Sequence, residues 1–395
     1  IKQIFDAYRK LRNTARYLLG SLHDFDPVEH AVPYENLPAL DKYLLGELDL
    51  FLTESKVAFD EFAFSRVFSL LQQFAVSDLS NFYLDIAKDR LYIAAPDEAR
   101  RRSCQTVMAE VLRGFTAVFA PILPHMAEDV WQSLPYKVAE QSVFQAGWPS
   151  TSYPEADREG WTMIRSLRDL VNKVIEEARN QKAVGSSLEA KLFVHTADPT
   201  LQRALATLSA ATDGVDELRF ILLASQVEVL DSAEDVVARA TLCSRADEGL
   251  QTIVGLAPAD GIKCERCWHY SPSAGESATY SGACARCASA LAIMDFTPVG
   301  PDQLLGTGGT PAEGVTASTP ATPAVAENKK KKKGGSTAAS PAVVMECADA
   351  TDASTIAALQ QENDELRVLV DALKADVAAI KSDMEAIEQA GAVSP

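Results

Sequence analysis

From Ile4 the apolar residues fall at Ile4, Tyr8, Leu11, Ala15, Leu18 and Leu22, steps of three and four that put them on one helix face. The opposite face carries Lys2, Arg9, Lys10, Arg12 and Arg16 against a single acid, Asp6. The same period predicts helices over 43–59, 63–91 and 104–119, the second with an aromatic stripe and the third stopped by Pro121. Short connections containing Pro33, Pro38 and Pro96, and no alternating segment before position 188, make residues 1–150 an all-α antiparallel bundle. A long helix is expected over 161–182, closed by Gly185 as a left-handed cap. The period then drops to two at Leu188, Ala190, Leu192 and Val194, which reads as a strand; a helix over 199–209 and a second strand over 218–229 complete a small α/β module spanning 151–250.

After Thr297 the composition collapses into Gly, Thr, Ala, Pro and Ser. Residues 297–350 cannot bury enough apolar surface to offset chain entropy and read as a disordered linker, Cys347 included. Its run Lys329 to Lys333 is either an RNA contact or a solvated or targeting segment. From Ile356 to Ile387 a strict heptad seam appears, Ile356, Leu359, Asn363, Leu366, Val370, Leu373, Val377, Ile380, Met384 and Ile387. This predicts a coiled coil over 351–390. β-Branched residues with leucine, and Asn363 in the core, favour a parallel homodimer, with Glu362 meeting Arg367 and Asp376 meeting Lys381 of the second copy. The other reading is a helix that folds back or pairs with a different chain.

The length, 395 residues, and the hydrophobic share, 47%, allow two or three domains with a sizeable core. A net charge of -18 excludes a protein whose whole surface attracts polyanions, so any nucleic-acid contact must use local basic patches. The most apolar stretch, 115–126, is broken by Pro121, Pro124 and His125, which excludes a membrane span there. The chain opens at Ile1 inside an amphipathic pattern, so an upstream segment is expected.

Cys264-Glu-Arg-Cys267 and Cys284-Ala-Arg-Cys287 have the spacing of a structural zinc site. Each two-residue gap makes a tight knuckle, and four thiolates complete a tetrahedron with no position left for water, so one structural Zn²⁺ is expected in a unit spanning 255–296. Lys263, Arg266 and Arg286 would favour the thiolates and make the knuckle basic. Trp268 and His269 are then free for a partner, and Trp268 either stacks on a nucleotide base or packs under the ribbon. Cys104 and Cys243 sit in apolar surroundings and read as buried. His23, His30, His125 and His195 have no carboxylate or nucleophile at a catalytic spacing, and phosphate-loop, Gly-x-Ser-x-Gly and His-Glu-x-x-His motifs are absent. No residue is assigned a catalytic role.

Taken in order, basic helix, bundle, α/β module and knuckle resemble the C-terminal half of bacterial and organellar isoleucyl-tRNA synthetases. The segments that carry the likeness are Tyr8-Arg-Lys-Leu-Arg-Asn-Thr-Ala-Arg16, Ser80-Asn-Phe-Tyr-Leu-Asp-Ile-Ala-Lys-Asp-Arg90, Ala120-Pro-Ile-Leu-Pro-His125, Glu128-Asp-Val-Trp131, Glu177-Ala-Arg-Asn-Gln-Lys182, Gly185-Ser-Ser-Leu-Glu-Ala190 and Cys264-Glu-Arg-Cys-Trp-His-Tyr270. They fall within residues 1–295. The resemblance implies a class I synthetase anticodon-binding bundle that grips isoleucine tRNA, supported by the zinc module. It points to Arg9, Lys10, Arg12, Asn13 and Arg16 as RNA contacts, with Lys88, Arg90, Arg179, Lys182 and Trp268 as further candidates. ATP and Mg²⁺ would act only in the full-length ligase. The His-x-Gly-His element, the Lys-Met-Ser-Lys-Ser loop and the editing domain of that family are missing, so this chain alone is expected to be inactive and to need a catalytic domain in cis. The tail after 297 departs from the family pattern and suggests a chloroplast or mitochondrial enzyme, the cytoplasm being the alternative. A non-catalytic tRNA-binding scaffold dimerised by its coiled coil remains the second reading.

Overall fold

The computed structural model describes residues 2–149, 151, 153, 157–209 and 217–297, which fall in one compact unit. The linker and the heptad seam lie outside the described residues. Six helices, α1 (Lys2–Ser21), α2 (Ala39–Asp60), α3 (Phe64–Gln73), α4 (Leu84–Tyr92), α5 (Ala99–Phe119) and α6 (Pro124–Gln132), pack around a common apolar core. Between α3 and α4 the backbone runs on from Phe74 to Tyr83 with i→i+5 hydrogen bonding, so the helix expected over 63–91 is one path with a widened middle. Within it Phe74, Leu79, Phe82 and Tyr83 are all buried, and Phe74 stacks on Phe51 at 4.3 Å.

α1 buries Ala7, Leu11, Ala15 and Leu18, with Leu22 buried just past its end, whereas Ile4 and Phe5, at its exposed beginning, are 67% and 62% accessible. Tyr8 is 38% accessible as well, so the predicted face holds only from Leu11. α5 starts at Ala99, five residues before the apolar period does, because its first turn is made of Arg100, Arg101 and Arg102. All three are buried and paired: Arg100 with Glu217, Arg101 with Asp24, and Arg102 with Asp97 and the Asp24 carbonyl. Hydrophobic patterning cannot see a buried guanidinium whose cost is offset by carboxylates.

α7 (Arg158–Asn180) lays Trp161, Ile164, Leu167, Leu170, Val171, Val174, Ile175 and Ala178 into the same core and leads to a four-stranded sheet. Its left-handed cap is Lys182, at φ 58°, not Gly185; the Gly185 amide instead donates to the Glu189 carboxylate. The sheet has the order β2-β1-β4-β3, from β1 (Ala190–Thr196), β2 (Gln226–Val229), β3 (Cys243–Asp247) and β4 (Thr252–Pro258); β2 pairs parallel to β1 and the rest are antiparallel. α8 (Pro199–Ser209) occupies the predicted span. The strand expected over 218–229 is corrected. Its first half is a buried helical turn, α9 (Glu217–Ile221), and only Gln226–Val229 is extended. A continuous apolar run does not separate a buried turn from a strand. α10 (Ala233–Arg239) covers the other face of the sheet through Val236, and Gly255 permits this, since a Cβ there would lie 2.8 Å from both the Val236 and Ala240 side chains. No helix among the described residues is long and apolar enough to cross a membrane.

Deep in the bundle Arg90, 2% exposed, donates to Asp41 at 2.7 Å, and the Tyr83 hydroxyl donates to the other oxygen of that carboxylate at 2.7 Å. Burial raises Tyr83 well above the phenol range, so it remains a donor. Arg90 is thereby removed from the RNA-contact candidates. Removing one partner strands the other in a dry interior, so Asp41→Ala should cost about 3–5 kcal/mol in urea unfolding. Loss of less than about 1 kcal/mol would show that the pair is not buried as described.

Candidate metal centre and nucleic-acid interface

The cysteine segment starts at Gly261, whose φ of 88° and close approach to Ser271, 2.3 Å from a notional Cβ, tolerate no side chain. Two short strands, β5 (Ile262–Lys263) and β6 (Tyr270–Ser271), carry the first knuckle between them, and α11 (Ala285–Ile293) begins immediately after Cys284. The first knuckle turns through Trp268, at φ 66°, with the Trp268 amide donating to the Cys264 carbonyl at 2.9 Å. The four Sγ atoms of Cys264, Cys267, Cys284 and Cys287 lie within 4.8 Å of one another, and Cys267 and Cys284 are 3.8 Å apart. A Zn–S bond of about 2.3 Å implies tetrahedral edges of about 3.8 Å, so the arrangement fits Zn²⁺.

Charge gives the same answer. The Cys284 thiolate sits at the start of α11 and accepts hydrogen bonds from Cys267 and Cys287, which hold it far below the usual thiol range. Its neighbours shift the opposite way: hydrogen bonding to Cys284 pushes Cys267 up to about 11, and hydrogen bonding to Cys267 and then to Cys284 pushes Cys287 higher still. Protons shared among four sulfurs cannot ionise them all, whereas a divalent cation does so at once. Apart from these sulfurs the cluster buries only the small Ala274 and Ala283, while the larger buried side chain of the segment, His269, packs on Phe220 outside it, so the metal is its core.

His269 is not a ligand and is not free for a partner. It is buried against Phe220 with ring centroids 5.6 Å apart, and burial lowers its pKa, leaving it neutral. Trp268 is 62% exposed, with the Lys263 ammonium 5.5 Å from its ring centre. Arg266 and Arg286, expected to lend the knuckle positive charge, are engaged within the protein: Arg286 grips Asp89 and Arg266 donates to the Ile93 carbonyl.

The remaining candidates divide by location. Lys10, Arg12, Asn13 and Arg16 are exposed on α1, while Arg9 pairs with Asp6 at 2.9 Å. Asn13 and Arg16, together with Tyr17, His23, Tyr92 and Arg101, line a hollow of about 550 Å³. Lys88, paired with Asp85 at 2.8 Å, and Trp268 line a second hollow of about 460 Å³ with Leu188, Phe220 and again Tyr92. Arg179, paired with Glu176, and Lys182 are exposed at the end of α7 and line neither. Tyr92, 63% exposed, is thus common to both hollows and goes unseen in the sequence, where it is merely the last aromatic of a helix.

Two family models match the chain, that of the anticodon-binding domain of tRNA ligase over 41–194 and that of the zinc finger found in FPG and IleRS over 261–290. An isoleucine–tRNA ligase from a Synechococcus sp. is 48% identical over 299 residues, 74% of this chain. The chain is a relative of the isoleucine–tRNA ligases. The isoleucine–tRNA ligases of Gloeobacter violaceus and a Nostoc sp. are 49% and 50% identical, again over 74% of this chain. The chain spans about a third of the length of these curated relatives, 31%, 28% and 30% respectively. With the zinc-finger match and the clustered thiols, the cysteine centre is a structural zinc site.

The chain should carry about one zinc, measured by chelator-released metal. Cys287→Ser should abolish it and disorder residues 261–293 while leaving most far-ultraviolet helicity, because the helical core is separate; metal retained in that variant would refute the ligand set.

Beneath the first hollow, burial would raise Asp24, but hydrogen bonds from Arg101 and Gln105 and the charges of Arg101 and Arg102 carry its carboxyl far below the usual range. A depressed folded pKa stabilises above the unfolded value, about 4, and the stabilisation disappears as pH falls through the folded one. Asp24→Asn should therefore destabilise the protein at pH 7 and much less at about pH 2 in urea titrations. An equal effect at both pH values would mean the charge is immaterial.

Proposed function

We propose that this chain is the tRNA-binding portion of an isoleucine–tRNA ligase, the enzyme that attaches isoleucine to its tRNA at the expense of ATP with Mg²⁺, both handled by a catalytic domain in cis. The observation that carries the reading is the pair of hollows joined at Tyr92, lined on one side by Asn13 and Arg16, with Arg12 exposed on the same helix, and on the other by Lys88 and Trp268. Guanidinium groups neutralise phosphates, Asn13 offers both donor and acceptor to an unstacked base, and exposed aromatics give bases a stacking face. An antiparallel bundle of the anticodon-binding type would present the first rim to the anticodon stem-loop, with the zinc ribbon completing the second. Arg179 and Lys182 would be peripheral phosphate contacts.

The heptad seam from Ile356 to Ile387 supports homodimerisation, and the extension after Thr297 supports a chloroplast or mitochondrial setting. The seam also supports the second reading, a dimeric tRNA-binding scaffold without catalysis.

The chain should bind isoleucine-accepting tRNA more tightly than other tRNAs. Arg12→Glu with Arg16→Glu should weaken binding by about tenfold or more and reduce the salt slope by about 0.7–0.9 for each phosphate no longer neutralised. Equal affinity for unrelated polyanions would end the proposal. Leu366→Glu with Leu373→Glu should turn a dimer into a monomer in light scattering, and a monomeric wild type at micromolar concentration would reject the seam.

A further inference from the structure

Each knuckle has arginine as its third residue, Cys264-Glu-Arg266-Cys267 and Cys284-Ala-Arg286-Cys287, and both arginines reach the same place. Arg286 makes a two-pronged grip on the Asp89 carboxylate, its Nη2 at 2.7 Å. Arg266 donates to the carbonyls of Ile93 and Tyr92, and Arg101 reaches that of Leu91 at 3.5 Å. The last carbonyls of a helix have no partner within it and form the negative end of its dipole. The zinc ribbon is therefore the C-terminal cap of α4.

We infer that Arg266 and Arg286 are positioning residues through which zinc loading sets the end of α4, and with it Tyr92, for RNA. The inference rests on the RNA-binding reading. Both arginines stand between two metal ligands, so their backbones are fixed when the thiolates are clamped. Without metal the knuckles keep only two-residue strands and two buried alanines between them, since His269 on Phe220 and the Tyr270 amide on Ser225 anchor the ribbon at β6 and not at either arginine. The reach of Arg286 is further guided by Phe220, which has the guanidinium of Arg286 5.2 Å from its ring centre and that of Arg100, from the bundle, 5.3 Å away. Asp89 answers from the bundle: burial favours its neutral form, but the Arg286 hydrogen bonds and charge outweigh this and lower its pKa, so it is a full anion at the joint. Tyr92 stands on the capped turn, at the boundary of both hollows. A direct phosphate role for Arg286 is disfavoured by its 24% side-chain exposure and its saturated grip.

Asp89→Asn separates the alternatives. It removes a negative charge, so simple electrostatics predicts tighter binding of a polyanion. Positioning predicts the reverse: binding to isoleucine-accepting tRNA about tenfold weaker, with an unchanged salt slope because no cation is removed. Zinc should remain at one per chain, Asp89→Glu should restore binding, and amide exchange at 92–95 should accelerate. Chelating zinc from the wild-type chain should accelerate the same amides. Equal or tighter binding by Asp89→Asn, a reduced salt slope, loss of its zinc, or amides at 92–95 indifferent to chelation would each overturn the inference. The exchange measurement needs no RNA. A wild-type chain that ignores tRNA but shows zinc-dependent exchange would thus refute the functional reading and leave the mechanical link standing.

Discussion

One helix has to satisfy two partners. α7 stacks Trp161 on Tyr43 of the bundle, with ring centres 4.8 Å apart, and along its length sends Arg165 to Asp78 and Arg168 to Asp85. Toward its other end it meets the sheet, where the Cys243 thiol donates to the Val174 carbonyl and Arg245 pairs with Glu177. Its buried face is continuous with both, so bundle and sheet share a single core and cannot turn independently without opening it. This fixes the ribbon as well. The Ser225 hydroxyl, at the edge of the sheet, accepts from the Tyr270 amide at 2.8 Å, while Asp89 holds Arg286 from the bundle. The ribbon is thus referenced to two layers whose relation α7 has already set.

The chain's positive charge is divided between two uses. Arg90, Arg100, Arg101, Arg102, Arg168 and Arg286 are mostly or wholly withdrawn from water and engaged by acids, a use that fixes geometry more than it adds stability. Among the described residues Lys10, Arg12 and Arg16 are a group of exposed cations without a salt bridge on one helix, whereas Arg113, Lys137, Lys173, Lys182 and Arg203 are scattered singly. An acidic protein can therefore present a local basic rim, and its surrounding negative charge disfavours nonspecific adsorption elsewhere on nucleic acid.

What the sequence makes legible follows from what periodicity can report. α8 and the cysteine spacing are readable because a clean period or a rigid chelate leaves few alternatives. α10 and β3 are not, because their short spans mix charged and apolar residues and gain order from packing on β4, and β4 itself is an apolar run without the alternation that marks a strand. The start of α5 is hidden by three arginines, and Arg90 passes for an RNA contact for the same reason: a guanidinium reads as surface until its carboxylate, forty-nine positions away at Asp41, is known. Tyr92 and the Asp89–Arg286 joint are equally invisible, since both acquire meaning only from the docking of residues almost two hundred positions apart.

Trp268 carries two penalties at once. A bulky side chain in left-handed backbone costs on the order of 1 kcal/mol or more, and a large indole left in water forgoes burial. The left-handed backbone closes the knuckle, but the exposed indole is not needed for chelation, because the adjacent Cys267 thiolate is set by the turn and not by the ring. The clamped sulfurs on one side and the Trp268 amide bonded to the Cys264 carbonyl on the other hold the residue where it would not settle alone. On the proposed reading, an indole held exposed beside Lys263 and Lys88 would offer a stacking face to a negatively charged partner.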